Sequence, residues 1–163
     1  MIKVNRVDEL FMREALKEAE KAAEEDEVPV GCIVVHKRKI IASGHNQVER
    51  LRDPTAHAEM LALTSAANYL GTKWLNDASV YVTIEPCSMC AGAMVLARIK
   101  NLYFGALDPK TGACGSVLNI INNRKLNHRV KAIGGILEKE CSSFLREFFK
   151  SKRLPKRLRR LTS

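Results

Sequence analysis

Apolar residues recur at three- and four-residue spacing through Leu10, Phe11, Ala15, Leu16, Ala19 and Ala22, which predicts a helix from Asp8 to about Glu25. Asp8 stands where an N-cap is expected, and Glu14 and Glu18 can pair with Lys17 and Lys21 on a solvated acidic face. Val28 to Val35 and Ile40 to Gly44 read as strands joined into a hairpin by the charged turn Lys37-Arg38-Lys39. Gly31, inside the first strand, permits close approach of another backbone or of a substrate. Residues 47–54 read as a polar loop. A helix capped by Thr55 then runs to about Leu70, with Ala56, Met60, Leu63 and Ala67 as its packing stripe and Gly71 as its end. Ser79 to Ile84 alternates and is rich in branched residues, so it is a strand. Pro86 suits the start of a helix that extends from Ser88 to about Ile99. Asn101 to Ala106 is a further strand, Asp108 to Gly115 a loop, and Val117 to Ile121 short helical or irregular chain. A last strand lies within Arg129 to Leu137, and Glu138 opens the final helix, where Phe144 and Leu145 are expected in the core and Pro155 ends or kinks the helix. Helices and strands in this order make an α/β layer fold.

Composition fits one domain: 163 residues, 46% hydrophobic and 28% charged. No apolar run approaches the ~18–20 residues of a membrane span, so no membrane contact is expected. The first residues are charged, not an apolar leader, and no signal peptide is expected. Cys32, Cys114 and Cys141 are expected to remain thiols in a reducing cytoplasm. The net charge of +9 is uneven: residues 150–163 hold seven bases and no acid, whereas residues 8–27 hold nine acids and three bases. We therefore divide the chain into a domain at 1–150 and a basic tail at 151–163 that continues the last helix. Such a tail suits a polyanion such as nucleic acid, or is a solvated terminus.

The chemistry-bearing residues fall in two places. Thr55-Ala56-His57-Ala58-Glu59 carries an imidazole and a carboxylate, and Glu85-Pro86-Cys87-Ser88-Met89-Cys90 carries a Cys-x-x-Cys pair. Alone, the pair could be a redox couple, half of a zinc knuckle or packed thiols. With His57 it makes three zinc-type ligands and no evident fourth, the pattern of a catalytic zinc with one open position. Glu59 is placed to carry protons beside the metal, not to bind it. His57 and Glu59 fall in the first turn of their helix, and Cys87 and Cys90 share a face of theirs. Two helix N-termini thus converge on the metal and favour thiolate.

His-x-Glu followed by Pro-Cys-x-x-Cys is the signature of the zinc nucleobase deaminases, of which the tRNA adenosine deaminases are an established example. The chain resembles the bacterial members of that family. The likeness lies in Glu27-Val28-Pro29-Val30-Gly31, Asp53 to Glu59, Glu85 to Met94, Phe104-Gly105-Ala106, Lys110-Thr111-Gly112-Ala113 and Asn127-His128-Arg129, and runs from about residue 8 to about residue 150. Asn122 to Lys125 departs from the family's loop.

The resemblance implies a cytidine-deaminase-like three-layer fold, with a five-stranded mixed sheet and helices on both faces. It implies one Zn2+ per chain on His57, Cys87 and Cys90, water at the fourth position, and Glu59 as the catalytic residue. His128 is accordingly left out of the ligand set. Substrate contacts are implied at Asn46, Ala58, Asp108 and Asn127. Phe148 and Phe149, interleaved with Arg146, Lys150, Lys152 and Arg153, suit base stacking and phosphate contact. The implied reaction is hydrolysis of adenosine to inosine at the first anticodon position of a tRNA. Its partners are the anticodon stem-loop and a second copy of the chain, in the cytoplasm. Three rivals share features of the site: a small-molecule cytidine, deoxycytidylate or guanine deaminase, a polynucleotide cytosine deaminase, and a zinc-stabilised nucleic-acid-binding module. The last requires a closed four-ligand site.

Overall fold

Five consecutive residues of β1 (Gly31–His36), from Gly31 to Val35, are buried, which marks a central strand covered on both faces. In the computed structural model, which describes residues 5–153, β1 lies between β2 (Lys39–His45) and β3 (Ser79–Ile84), antiparallel to both. Beyond β3 come β4 (Asn101–Ala106) and β5 (Lys131–Ile133), each parallel to its neighbour, giving the order β2-β1-β3-β4-β5. The sheet is five-stranded and mixed, as expected.

The alternation along β1 divides the core. Cys32 and Val34 point into a cluster with α3 (Ala58–Leu70) and α4 (Ser88–Leu96), through Ala62, Ala66, Ala91 and Met94. Ile33 and Val35 point the other way, toward α1 (Arg6–Glu24) and α5 (Glu138–Arg153), through Met12, Ala15 and Cys141. Helices therefore cover both faces in three layers. Gly31 is where α1 rests on the sheet: a Cβ there would overlap the carbonyl oxygen of Ala15 and the backbone nitrogen of Ala19. The close partner is a backbone, not a substrate.

Several local expectations are corrected. The N-cap of α1 is Asn5, whose side chain accepts from Val7 and Asp8; Asp8 is the third helical residue and completes a capping box. Asp8 is buried and accepts the Tyr81 hydroxyl at 2.8 Å. Glu18, placed on a solvated face, is also buried and meets His45 Nδ1 at 3.4 Å. Residues 47–54 contain a one-turn helix, α2 (Val48–Leu51). Thr55 does not cap α3; it bonds Asp53, and His57 is the N-cap. The buried face of α3 is Ala58, Glu59, Ala62, Leu63 and Ala66, one step around from the expected stripe, with Met60 and Ala67 only half-buried. The helix of Ser88 stops at Leu96, and Ile99 is buried just beyond it. On α5 only Cys141 is buried, and Phe144 and Leu145 are half-buried. Residues 117–121 are irregular. Pro155 and most of the expected basic tail lie outside the described residues.

Candidate active site and metal centre

Two helix starts meet on one side of the sheet. His57 caps α3 and Cys87 caps α4, both with extended backbone (φ −72° in each). Neither residue makes a side-chain capping bond, and the imidazole of His57 faces the sulfurs of α4. Cys90 enters from the first turn of α4. His57 Nδ1 lies 3.6 Å from the Sγ of Cys87 and 3.6 Å from the Sγ of Cys90. Zinc bonds of about 2.3 Å to sulfur and 2.0–2.1 Å to nitrogen, at a tetrahedral angle, separate nitrogen and sulfur by about 3.5 Å. The three donors therefore fit a zinc ion with little rearrangement. His128 does not join them: its Nε2 is on the carbonyl of Ile99 at 2.7 Å. Among the described residues, His57, Cys87 and Cys90 form the one group of three able to hold a metal.

The thiol protons are shared unequally. A hydrogen bond from Cys90, and the imidazole of His57 beside it, pull Cys87 down to about 4 against the cost of its burial. Cys90 moves well above the ordinary thiol range, because it keeps the proton it shares with Cys87 and is buried. Cys87 in turn pushes the His57 imidazole up. Zinc takes both sulfurs as thiolates, so metal binding displaces thiol protons. Glu59 is 3% exposed, and burial pushes its carboxyl up, so it can hold a proton closer to neutrality than an exposed glutamate.

The group opens on one side only. Cys90 is fully buried, whereas His57, Glu59 and Cys87 line a cavity of about 1430 Å³. Asn46, Asp108, Phe148 and Phe149 line the same cavity. The Asn46 amide is buried and donates to Glu27 at 3.4 Å. The Asp108 carboxylate accepts from its own loop, at Lys110 N (2.9 Å) and Thr111 N (3.2 Å). The Phe148 and Phe149 rings meet edge to face at 5.5 Å. Lys152 stands 5.2 Å over the Phe148 ring and pairs with Asp26 at 2.5 Å, so the end of α5 touches the opposite rim. Two expected contact residues are not among those lining this cavity. Ala58 is fully buried in the core, and Asn127 is exposed beside a second cavity of about 780 Å³ with Asn119, Asn122 and His128.

Two carboxylates organise the cavity without having been singled out from sequence. Glu27 is buried and accepts Glu49 N (3.2 Å) and Arg50 N (2.7 Å), closing the start of α2 from outside it. Glu85 is buried and accepts from Asp108, Cys114 and Ser116. Both acids are set beside apolar residues and near a proline, Glu27-Val28-Pro29 and Ile84-Glu85-Pro86. That setting was the available signal, since a buried acid needs donors.

A family model described as the cytidine and deoxycytidylate deaminase zinc-binding region matches residues 5–106. The tRNA-specific adenosine deaminase of Bacillus subtilis is 46% identical over 153 residues, covering 94% of this chain and 95% of that protein. The tRNA-specific adenosine deaminase of Aquifex aeolicus is 52% identical over 145 residues, covering 89% of this chain and 95% of its own. A solved structure from a study of A-to-I editing by tRNA deaminases at the wobble position of transfer RNA superposes with a TM-score of 0.81 at 42% identity. That match covers 83% of this chain and 99% of the other.

Proposed function

The chain belongs to the zinc-binding cytidine and deoxycytidylate deaminase family, among its tRNA-specific adenosine deaminases, and from this we propose that it converts adenosine to inosine at the wobble position of tRNA. The observation that carries the chemistry is the three-donor group at 3.6 Å spacing, open to a cavity that also exposes buried Glu59. Bound at His57, Cys87 and Cys90, zinc supplies the Lewis acidity that brings a water's pKa near neutrality. Glu59 takes a proton from the attacking water and delivers it to N1 of the adenine. The water oxygen bonds to C6, Glu59 carries the second proton to the departing amine, and ammonia leaves. Asn46, held by Glu27, orients the base.

The substrate reading rests on the rest of the cavity. At about 1430 Å³ it exceeds the ~300–1,000 Å³ typical of small-molecule sites. Phe148 and Phe149 offer rings to unstacked bases, and Lys110 and Arg146 offer charge to phosphates. The segment presented is the anticodon stem-loop. A homodimer in the cytoplasm, with residues 1–150 as the deaminase domain and 151–163 as a basic tail, completes the reading. Among the described residues no helix is long and apolar enough to cross a membrane. A closed four-ligand module is disfavoured by the three-donor group and by the buried acid beside it.

The test sets an anticodon stem-loop with adenosine at its first anticodon position beside free adenosine, cytidine, guanine and deoxycytidylate. Inosine from the stem-loop alone is the expected result. Turnover of a free base or nucleoside alone assigns the protein to small-molecule deamination instead.

A further inference from the structure

Glu85 stands two residues before Cys87 and is 1% exposed. A carboxylate is costly to bury unless donors surround it. Here every donor comes from one loop. Oε2 accepts Asp108 N at 3.1 Å and the Ser116 hydroxyl in a short bond. Oε1 accepts Cys114 N at 2.9 Å and Ser116 N at 3.0 Å. All four partners donate, so the site calls for a group with acceptors only; a glutamine would turn its NH2 against backbone N–H groups.

The loop is shaped around this carboxylate. A Cβ on Gly112 would come within 2.5 Å of Glu85 Cδ and Oε2. Only glycine leaves that room. The loop also returns to the ligand strand, with Ala113 N donating to Pro86 O at 2.8 Å and Gly112 bridging to Cys87. Its outer residues, Asp108, Lys110 and Thr111, line the cavity that exposes His57 and Glu59.

We propose that Glu85 is a positioning residue for the reaction: it fixes the 108–116 loop to the segment carrying the cysteine ligands and so sets the cavity wall that meets the RNA strand. The inference deepens the deaminase reading above and rests on it for the identity of the substrate. Glu85 touches no reacting atom in this scheme. Its effect passes through the placement of Asp108, Lys110 and Thr111.

The test uses zinc-loaded full-length protein and two readouts. The first is amide hydrogen exchange over residues 108–116. In Glu85→Gln this exchange is expected to accelerate about tenfold or more, because hydrogen bonds to a charged group are lost, while β3 and α4 keep their protection. Ser116→Ala removes one donor and is expected to give a smaller change in the same direction. The second readout is steady-state kinetics on the stem-loop. KM is expected to rise about tenfold or more in Glu85→Gln, with a smaller fall in kcat and unchanged zinc content. Unchanged exchange in the loop overturns the proposal, as does a fall in kcat with KM unaltered. Should Glu85→Gln fail to fold, Ser116→Ala decides by the same criteria. Exchange needs no substrate, so a wild-type protein inactive on RNA contradicts the deaminase reading without touching the loop result.

Discussion

His57 Nδ1 lies 3.6 Å from Cys87 Sγ, and each of these residues is the N-cap of its own helix. The metal centre is therefore also the joint between α3 and α4. Removing it should weaken the fold as well as the chemistry. Chelation of zinc is expected to lower the melting temperature, and Cys87→Ala is expected to abolish both the bound zinc and that sensitivity. Calorimetry with and without chelator, alongside metal analysis, checks this. A chelator-insensitive wild-type melt would mean that the joint is held by packing alone.

Glu27 closes the start of α2 and holds Asn46. Glu27→Ala leaves the amides of Glu49 and Arg50 and the side chain of Asn46 without their acceptor. A stability loss of about 1–3 kcal/mol is expected, by denaturant titration. A rise in KM for RNA should accompany it, because the freed Asn46 amide lies in the cavity wall.

Tyr81 is packed against Phe11 and Tyr103 and donates to buried Asp8, and burial with that acceptor pushes its hydroxyl well above the ordinary range. The raised folded value means that this contribution to stability is complete below the unfolded pKa of about 10 and fades as pH rises beyond it. Above that point each pH unit removes up to about 1.4 kcal/mol per such tyrosine. Tyr81→Phe should be less stable at neutral pH and should lose stability with a shallower slope above pH ~10. Equal alkaline slopes in the two proteins would show that Tyr81 does not carry the dependence.

Phe148 and Phe149 sit on the cavity wall as an edge-to-face pair. Alanine at either position is expected to raise KM for the stem-loop by about ten- to a hundredfold, the range for a lost base stack, with little change in kcat. Parallel kinetics of the two variants separate this from a folding defect, which would lower kcat through loss of active protein.

The zinc donors and Glu59 were legible because metal chemistry restricts residue type and spacing. His57, Cys87, Cys90 and Glu59 need only local sequence to be found. The five-stranded mixed sheet and three layers followed from the resemblance, and β3 fell where period-2 alternation and branched residues put it. What sequence hid were long-range acceptors. The one-turn helix α2 has too few residues for a periodic signal, and its N–H groups are met by Glu27, more than twenty residues away. Asp8 looked like a cap because its bond to Tyr81 spans 73 positions. Glu85 was visible only as part of a motif, since its four donors lie 23 to 31 residues downstream.

Glu59 is where the deamination chemistry is most directly tested. Zinc-matched wild type and Glu59→Gln are compared in single-turnover reactions on the stem-loop, with inosine read by nucleoside analysis. If Glu59 carries the protons, both proteins hold one zinc per chain and the variant is about 10²–10⁴-fold slower, the loss expected for a general acid–base group. Inosine formed at the wild-type rate by zinc-loaded Glu59→Gln would contradict that role.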